Sequence, residues 1–92
     1  MAAVLQASLL GVEKGYDLPP METGDGFDRN DAKVGVADDL KGAVADLDAD
    51  AALVEAVGAE LVANHVYMKQ KEAKKTRDLE GDALRDFYVW FV

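Results

Sequence analysis

The chain has 92 residues, with 18 acidic and 10 basic side chains, a formal net charge of −8 and no cysteine. This length suits one domain or a part of one. A compact fold of this mass would bury roughly 9,000 Å² of the surface that the unfolded chain exposes. The lack of cysteine excludes disulfide bonds, thiolate metal sites and cysteine catalysis. The acidic balance disfavours nucleic acids and anionic membranes as partners, and no apolar run reaches the ~20 residues of a membrane-spanning helix.

The N-terminal segment predicts a helix over residues 2–14. Leu5, Leu9 and Val12 follow the spacing i, i+4, i+7 and form one apolar stripe. Gly15 stands where a helix commonly ends. The first lysine, Lys14, comes after the apolar stretch, so the segment does not have the order of a secretory signal. We therefore expect a cytoplasmic protein.

Residues 15–37 predict a long loop. Pro19 and Pro20 prevent a helix through this point, and glycines and aspartates follow. A loop of this length in a small domain is functional, mobile or ordered by a partner, and we expect it to be the most mobile part of the chain. Its Gly24-Asp25-Gly26 segment lacks the third glycine and the flanking strand of a dinucleotide-binding loop, which favours an ordinary turn.

Four further helices are expected. They are predicted at residues 38–48, 50–57, 59–77 and 80–91. Asp38 or Asp39 can cap the first of these and Asp50 the second. No segment alternates as a strand does, so the sequence predicts an all-α fold, an irregular bundle of four to five helices with one long N-terminal loop.

No catalytic, cofactor-binding or metal-binding residue is predicted. The pattern Asp46-x-Asp48-x-Asp50 resembles the start of a calcium loop, but its sixth and twelfth positions are Ala51 and Val57 instead of glycine and glutamate. The single histidine, His65, has no ligand or acid–base partner nearby in sequence, which favours a packed or interfacial role. The lysines between residues 69 and 77 predict a salt-bridged helix, because the aromatic platforms of a nucleic-acid site are missing.

Four of the seven aromatic residues lie in the last six positions: Phe87, Tyr88, Trp90 and Phe91. On a helix, Phe87, Tyr88 and Phe91 point one way and Trp90 points elsewhere, so one face within the chain cannot bury all four. We therefore predict that this tail is an interface, covered either by upstream residues of the same polypeptide or by a second chain.

Several stretches occur in a characteristic order. They are residues 7–13, Tyr16-Asp17-Leu18-Pro19-Pro20, residues 40–50 (of the form Leu-x-x-Ala-x-x-x-Leu-x-x-Asp), residues 61–72 ending in Lys69-Gln70-Lys71-Glu72, and the aromatic tail. Together they resemble the C-terminal end of glutamine synthetase, the ATP-dependent glutamate–ammonia ligase of nitrogen metabolism. In that family the substrate, metal and nucleotide sites lie on an upstream β-barrel. The resemblance implies ATP and Mg or Mn for the parent enzyme only, with no matching ligand positions in this chain.

The resemblance thus predicts a non-catalytic C-terminal fragment spanning residues 1–92, inactive alone, which contributes packing and subunit contacts. Its expected partners are a second copy or the upstream catalytic domain. The alternative is a free-standing helical interaction or dimerisation module with no enzymatic activity, and the coding sequence upstream of Met1 would distinguish the two.

Tyr16 corresponds in the resemblance to a tyrosine that some bacterial members adenylylate for regulation. A transferase needs an exposed phenol on an accessible loop. The alternative is a structural tyrosine that is buried or hydrogen-bonded.

Overall fold

The computed structural model describes residues 1–28 and 35–90. Five α-helices follow one another: α1 (Ala2–Lys14), α2 (Leu40–Ala49), α3 (Ala51–Val57), α4 (Ala59–Thr76) and α5 (Gly81–Val89). No strand occurs in the described ranges, and the predicted all-α irregular bundle is confirmed. One short 3₁₀ turn, Gly26–Asp28, lies in the segment predicted to be loop throughout. Residues 29–34 of that loop, together with Phe91 and Val92, lie outside the described residues.

Aspartate caps begin two of the helices. The Asp39 carboxylate accepts a hydrogen bond from the N–H of Gly42 at 2.6 Å, and the Asp50 carboxylate accepts one from Leu53 at 3.1 Å. Each cap satisfies a backbone donor that the first helical turn leaves unpaired. The backbone of Asp39 is extended, so α2 begins at Leu40, two residues later than predicted. Gly15 ends α1 in the left-handed conformation, with φ of 60°.

The helices pack mainly in two pairs, α2 with α4 and α1 with α3, and α3 also contacts both α2 and α4. The buried residues of the described part are only three valines: Val44, Val62 and Val66. Leu40, Leu47, Val54 and Val57 pack around them and remain partly exposed. The core is therefore a thin seam between α2 and α4, closed at one end by α3.

The predicted apolar stripe on α1 is mostly exposed, unlike the apolar residues of α2, where Val44 is buried. Leu5, Leu9 and Val12 are each more than half exposed, and α1 contains no buried residue. Its less exposed positions are Gln6, Leu10 and Gly11. The sequence thus predicted the helix correctly, but most of its apolar surface is uncovered.

The chain is far more open than its mass would require. Its accessible surface is 8,273 Å², whereas a compact 9.9 kDa monomer exposes about 5,200 Å². The radius of gyration is 16.5 Å, against about 12 Å for a compact domain of this length. Folding therefore buries roughly 6,000 Å² instead of the 9,000 Å² expected from scaling.

No helix in the described part of the chain has both the length and the apolar character to cross a membrane.

Candidate functional site

A polar contact joins α4 to α5 at Glu72. Lys69 Nζ donates to Glu72 Oε2 at 2.7 Å, one helical turn away, and Tyr88 Oη donates to Glu72 Oε1 at 2.6 Å. We call Lys69, Glu72 and Tyr88 the Glu72 cluster. Both carboxylate oxygens are engaged, and the Glu72 side chain is 23% exposed. The cluster therefore holds α5 against α4.

The electrostatics of the cluster favour a charged carboxylate. The hydrogen bond from Lys69 lowers the pKa of Glu72, the bond from Tyr88 acts in the same direction, and partial burial opposes both. The charges of Lys69 and His65 contribute further to the lowering. The same bond to Glu72 raises the pKa of the Tyr88 hydroxyl, because deprotonation would place two anions together. A carboxylate with a lowered pKa and two donors is a poor proton acceptor, so the cluster suits a structural contact better than acid–base catalysis.

A groove of about 420 Å³ lies beside this cluster, between α4 and α5. Besides the cluster it is lined by Tyr67, Met68, Lys71, Lys75 and Phe87. The Lys71 ammonium lies 5.1 Å from the centroid of the Tyr67 ring, and the Phe87 ring meets Tyr88 edge-on at 5.1 Å. We refer to this surface as the α4–α5 groove. It combines aromatic walls with an excess of positive charge.

The predicted interface residues divide into two groups. Phe87 and Tyr88 are partly buried, and Tyr88 belongs to the Glu72 cluster. Trp90 is 89% exposed at the end of α5, and Phe91 lies outside the described residues. The three described aromatics thus do not form one surface: Tyr88 bonds α5 to α4, Phe87 meets the Tyr88 ring edge-on, and Trp90 is exposed to solvent.

Tyr16 follows Gly15 directly after α1 and is 57% exposed. The Tyr16 side chain is therefore not buried. Its neighbour Leu18 is 91% exposed, so the whole Tyr16–Pro20 segment is open to solvent. His65 is also exposed, not packed, because Val62 and Val66 occupy the inward face of α4.

The metal and nucleotide chemistry implied by the resemblance needs a set of ligands. Within the described residues, no three His, Asp or Glu side chains come together in a way that could hold a metal ion. A larger cavity of about 870 Å³ lies between α2 and α4, and it is lined by apolar residues such as Leu40 and Val44 with charged side chains at its rim. The residues described here do not fit the Mg or Mn site of the parent enzyme.

The sequence analysis did not predict the Glu72 cluster. Lys-x-x-Glu was visible as a pattern, and its i, i+3 spacing allows an ion pair on one helix. Tyr88, however, lies sixteen positions after Glu72 in the sequence, and only the turn between α4 and α5 brings them together.

These features define an acidic helical segment with a thin core, in which no three His, Asp or Glu side chains of the described residues are placed to hold a metal ion. The comparison with protein families matches residues 1–88 to the model "Glutamine synthetase, catalytic domain". The chain therefore belongs to the glutamine synthetase catalytic-domain family. The match is consistent with the C-terminal portion that the sequence motifs predict. No curated protein and no solved structure matches the chain significantly.

Proposed function

We propose that the chain acts as a non-catalytic helical segment of a glutamine synthetase-like, ATP-dependent amide ligase in the cytoplasm. In this function it supplies packing surface to the catalytic domain and contacts between subunits. ATP, Mg or Mn, glutamate and ammonia would be bound by residues other than those described here. The family match over residues 1–88 supports the origin of the segment.

The observation that carries the proposal is the uncovered apolar surface. The chain exposes about 3,000 Å² more than a compact monomer of its mass. Leu5, Leu9 and Val12 on α1 and Leu61 and Met68 on α4 are all largely exposed. Monomeric proteins rarely expose contiguous apolar patches of more than a few hundred Å², so a further protein surface is expected to cover these side chains.

An activity assay tests the first part of the proposal. The purified chain is incubated with ATP, Mg²⁺, glutamate and ammonium, and glutamine is measured. We expect no glutamine above a blank from a mock purification. Glutamine formation that co-purifies with the chain would overturn the non-catalytic assignment.

Sedimentation velocity tests the contact role of the tail. Deleting Trp90–Val92 should shift an associating sample towards monomer, since Trp90 is 89% exposed and available to a partner. The substitution Leu18→Ser removes another exposed apolar side chain away from α5 and serves as the matched control. An oligomer that survives the deletion unchanged would exclude the tail from the contact.

Tyr16 is a proposed site of nucleotidyl modification. Its exposure on an extended, proline-containing segment supports access by a transferase. Incubation with an adenylyltransferase and labelled ATP should label the wild-type chain and not Tyr16→Phe. Equal labelling of both chains would place the modification elsewhere.

A further inference from the structure

The short turn before residue 29 has chemistry complementary to the α4–α5 groove. Residues Gly26–Asp28 form a 3₁₀ turn, and the Asp25 carboxylate accepts a hydrogen bond from the Phe27 N–H at 3.0 Å. A second bond runs from the N–H of Asp28 to the carbonyl of Asp25 at 3.1 Å. The turn is therefore ordered by its own residues, and it presents Phe27 with 98% of its surface exposed.

The charge around this turn is uniformly negative on its N-terminal side. Residues 16–28 contain four acidic side chains and no basic one. In the sequence, Asp25 stands two positions before Phe27 and Asp28 follows it directly. The turn is thus an apolar anchor between two carboxylates.

The α4–α5 groove offers the opposite charge and a matching apolar wall. Lys69 is paired with Glu72, but Lys71 and Lys75 form no ion pair with the described residues. Both line the groove together with Tyr67. The volume of about 420 Å³ is in the range of ordinary ligand sites, ~300–1,000 Å³, and is ample for one aromatic side chain.

We propose that the Asp25–Asp28 turn of one copy of this chain inserts Phe27 into the α4–α5 groove of a second copy, with its carboxylates beside Lys71 and Lys75. A second copy is the occupant that the charges favour, because both complementary surfaces belong to the same chain and Phe27 is uncovered within it. Two copies can exchange turns reciprocally, which gives a two-fold symmetric pair with two identical contacts.

The expected strength of association follows from the surface area that the contact would bury. One aromatic side chain buries about 150–250 Å², so two exchanged turns fall well short of the roughly 1,600 Å² of a standard interface. The association is therefore weak and concentration-dependent, and salt weakens it because the ion pairs lie near the surface. The inference rests on the proposed function in that both require the chain to meet other subunits, but it uses a surface different from Trp90.

Sedimentation velocity over a concentration series tests the contact on the full chain. Phe27→Ser should weaken association at least tenfold, whereas Leu18→Ser, at another exposed apolar residue, should not. Lys71→Glu with Lys75→Glu should weaken it similarly. Lys14→Glu with Lys41→Glu changes the net charge equally and leaves the groove intact, so it controls for general repulsion. Circular dichroism checks that each variant is folded.

A mixing experiment gives the sharpest outcome. Chains carrying Asp28→Lys and chains carrying both groove substitutions should each associate poorly alone, because each substituted position then faces a side chain of like charge across the contact. Mixed together they should associate, because each turn meets a groove of opposite charge.

Three results would overturn the proposal. They are a chain that stays monomeric at every concentration, association that is insensitive to both turn and groove variants, and variants that change the melting temperature of a monomer without changing association. The last result would mean that the turn folds back onto its own groove. If only the Trp90–Val92 deletion disrupts association, the proposed function survives and this contact does not.

Discussion

The two halves of α4 are held by different kinds of interaction. In the first half, Val62 and Val66 are buried against α2 and α3, and no polar side chain takes part. In the second half, Glu72 forms an ion pair with Lys69 and accepts a hydrogen bond from Tyr88 of α5. The first half is stabilised because its apolar surface is removed from water. The hydrogen bond in the second half joins partly exposed groups and contributes little net free energy. Its main effect is to fix the geometry of α5 relative to α4.

A substitution in the apolar half of α4 should have the largest effect on the free energy of unfolding. Val62→Ala removes two buried methyl groups from the core of three valines and leaves a cavity. The change should lower the free energy of unfolding by about 2–3 kcal/mol. Urea denaturation followed by circular dichroism measures this. The same change at Val12, which is exposed on α1, should alter the free energy by less than about 0.5 kcal/mol. Equal effects at the two positions would contradict the assignment of the core.

The entry into α4 gives a second prediction. Gly58 joins α3 to α4 with φ of 117°, a conformation that side chains with a Cβ rarely adopt. Gly58→Ala should therefore cost about 1–2 kcal/mol from backbone strain. Gly24→Ala, where a Cβ meets open space, is the control. A neutral Gly58→Ala chain would mean that this joint can relax.

Breaking the polar half should have a smaller effect on stability and a local effect on structure. Tyr88→Phe keeps the ring contact with Phe87 but removes the donor to Glu72. We expect the melting temperature to fall by only a few degrees, with faster amide hydrogen exchange across α5 as that helix loosens. Tyr67→Phe, on the exposed side of α4, should change neither. A large, global loss of stability in Tyr88→Phe would mean that α5 is part of the core.

The pH dependence of stability also distinguishes the polar half of α4 from the apolar half. The pKa of Glu72 is lowered from the ordinary value of 4.5, so the unfolded chain takes up the proton first as the pH falls. The stability that Glu72 contributes is complete above pH 4.5 and is lost as the pH falls through the lowered value. At the other end, the raised pKa of Tyr88 means that its contribution is present below pH 10.0 and is lost as the pH rises through the raised value.

Melting curves of Glu72→Gln and the wild-type chain, measured between neutral and acidic pH, test this. The difference between them should shrink as the pH falls. Glu55→Gln removes an exposed carboxylate and leaves the cluster intact, so it should retain the cluster's acid dependence. A difference that is constant with pH would contradict the lowered pKa.

Sequence reasoning was most successful where the determining interactions are local. The Asp39 and Asp50 caps and the glycine that ends α1 all depend on residues within one or two turns. The apolar stripe of Leu5, Leu9 and Val12 did not predict which apolar residues are covered, since all three are more than half exposed. An apolar stripe states that a surface can be buried, but only the neighbouring helices decide whether it is. The Tyr88–Glu72 bond was missed for the same reason, since it depends on how the chain turns between two helices.

One further consequence follows from the way α2, α3 and α4 are joined. A single residue, Asp50, ends α2 and begins α3, and a single residue, Gly58, ends α3 and begins α4. The valine seam is therefore assembled from helices connected without any loop, within an unbroken stretch of chain from Leu40 to Thr76. Contacts between residues so close in sequence require little loop closure, and proteins dominated by them fold in microseconds to milliseconds. This stretch should thus form first during folding, as a nucleus onto which α1 and α5 dock later.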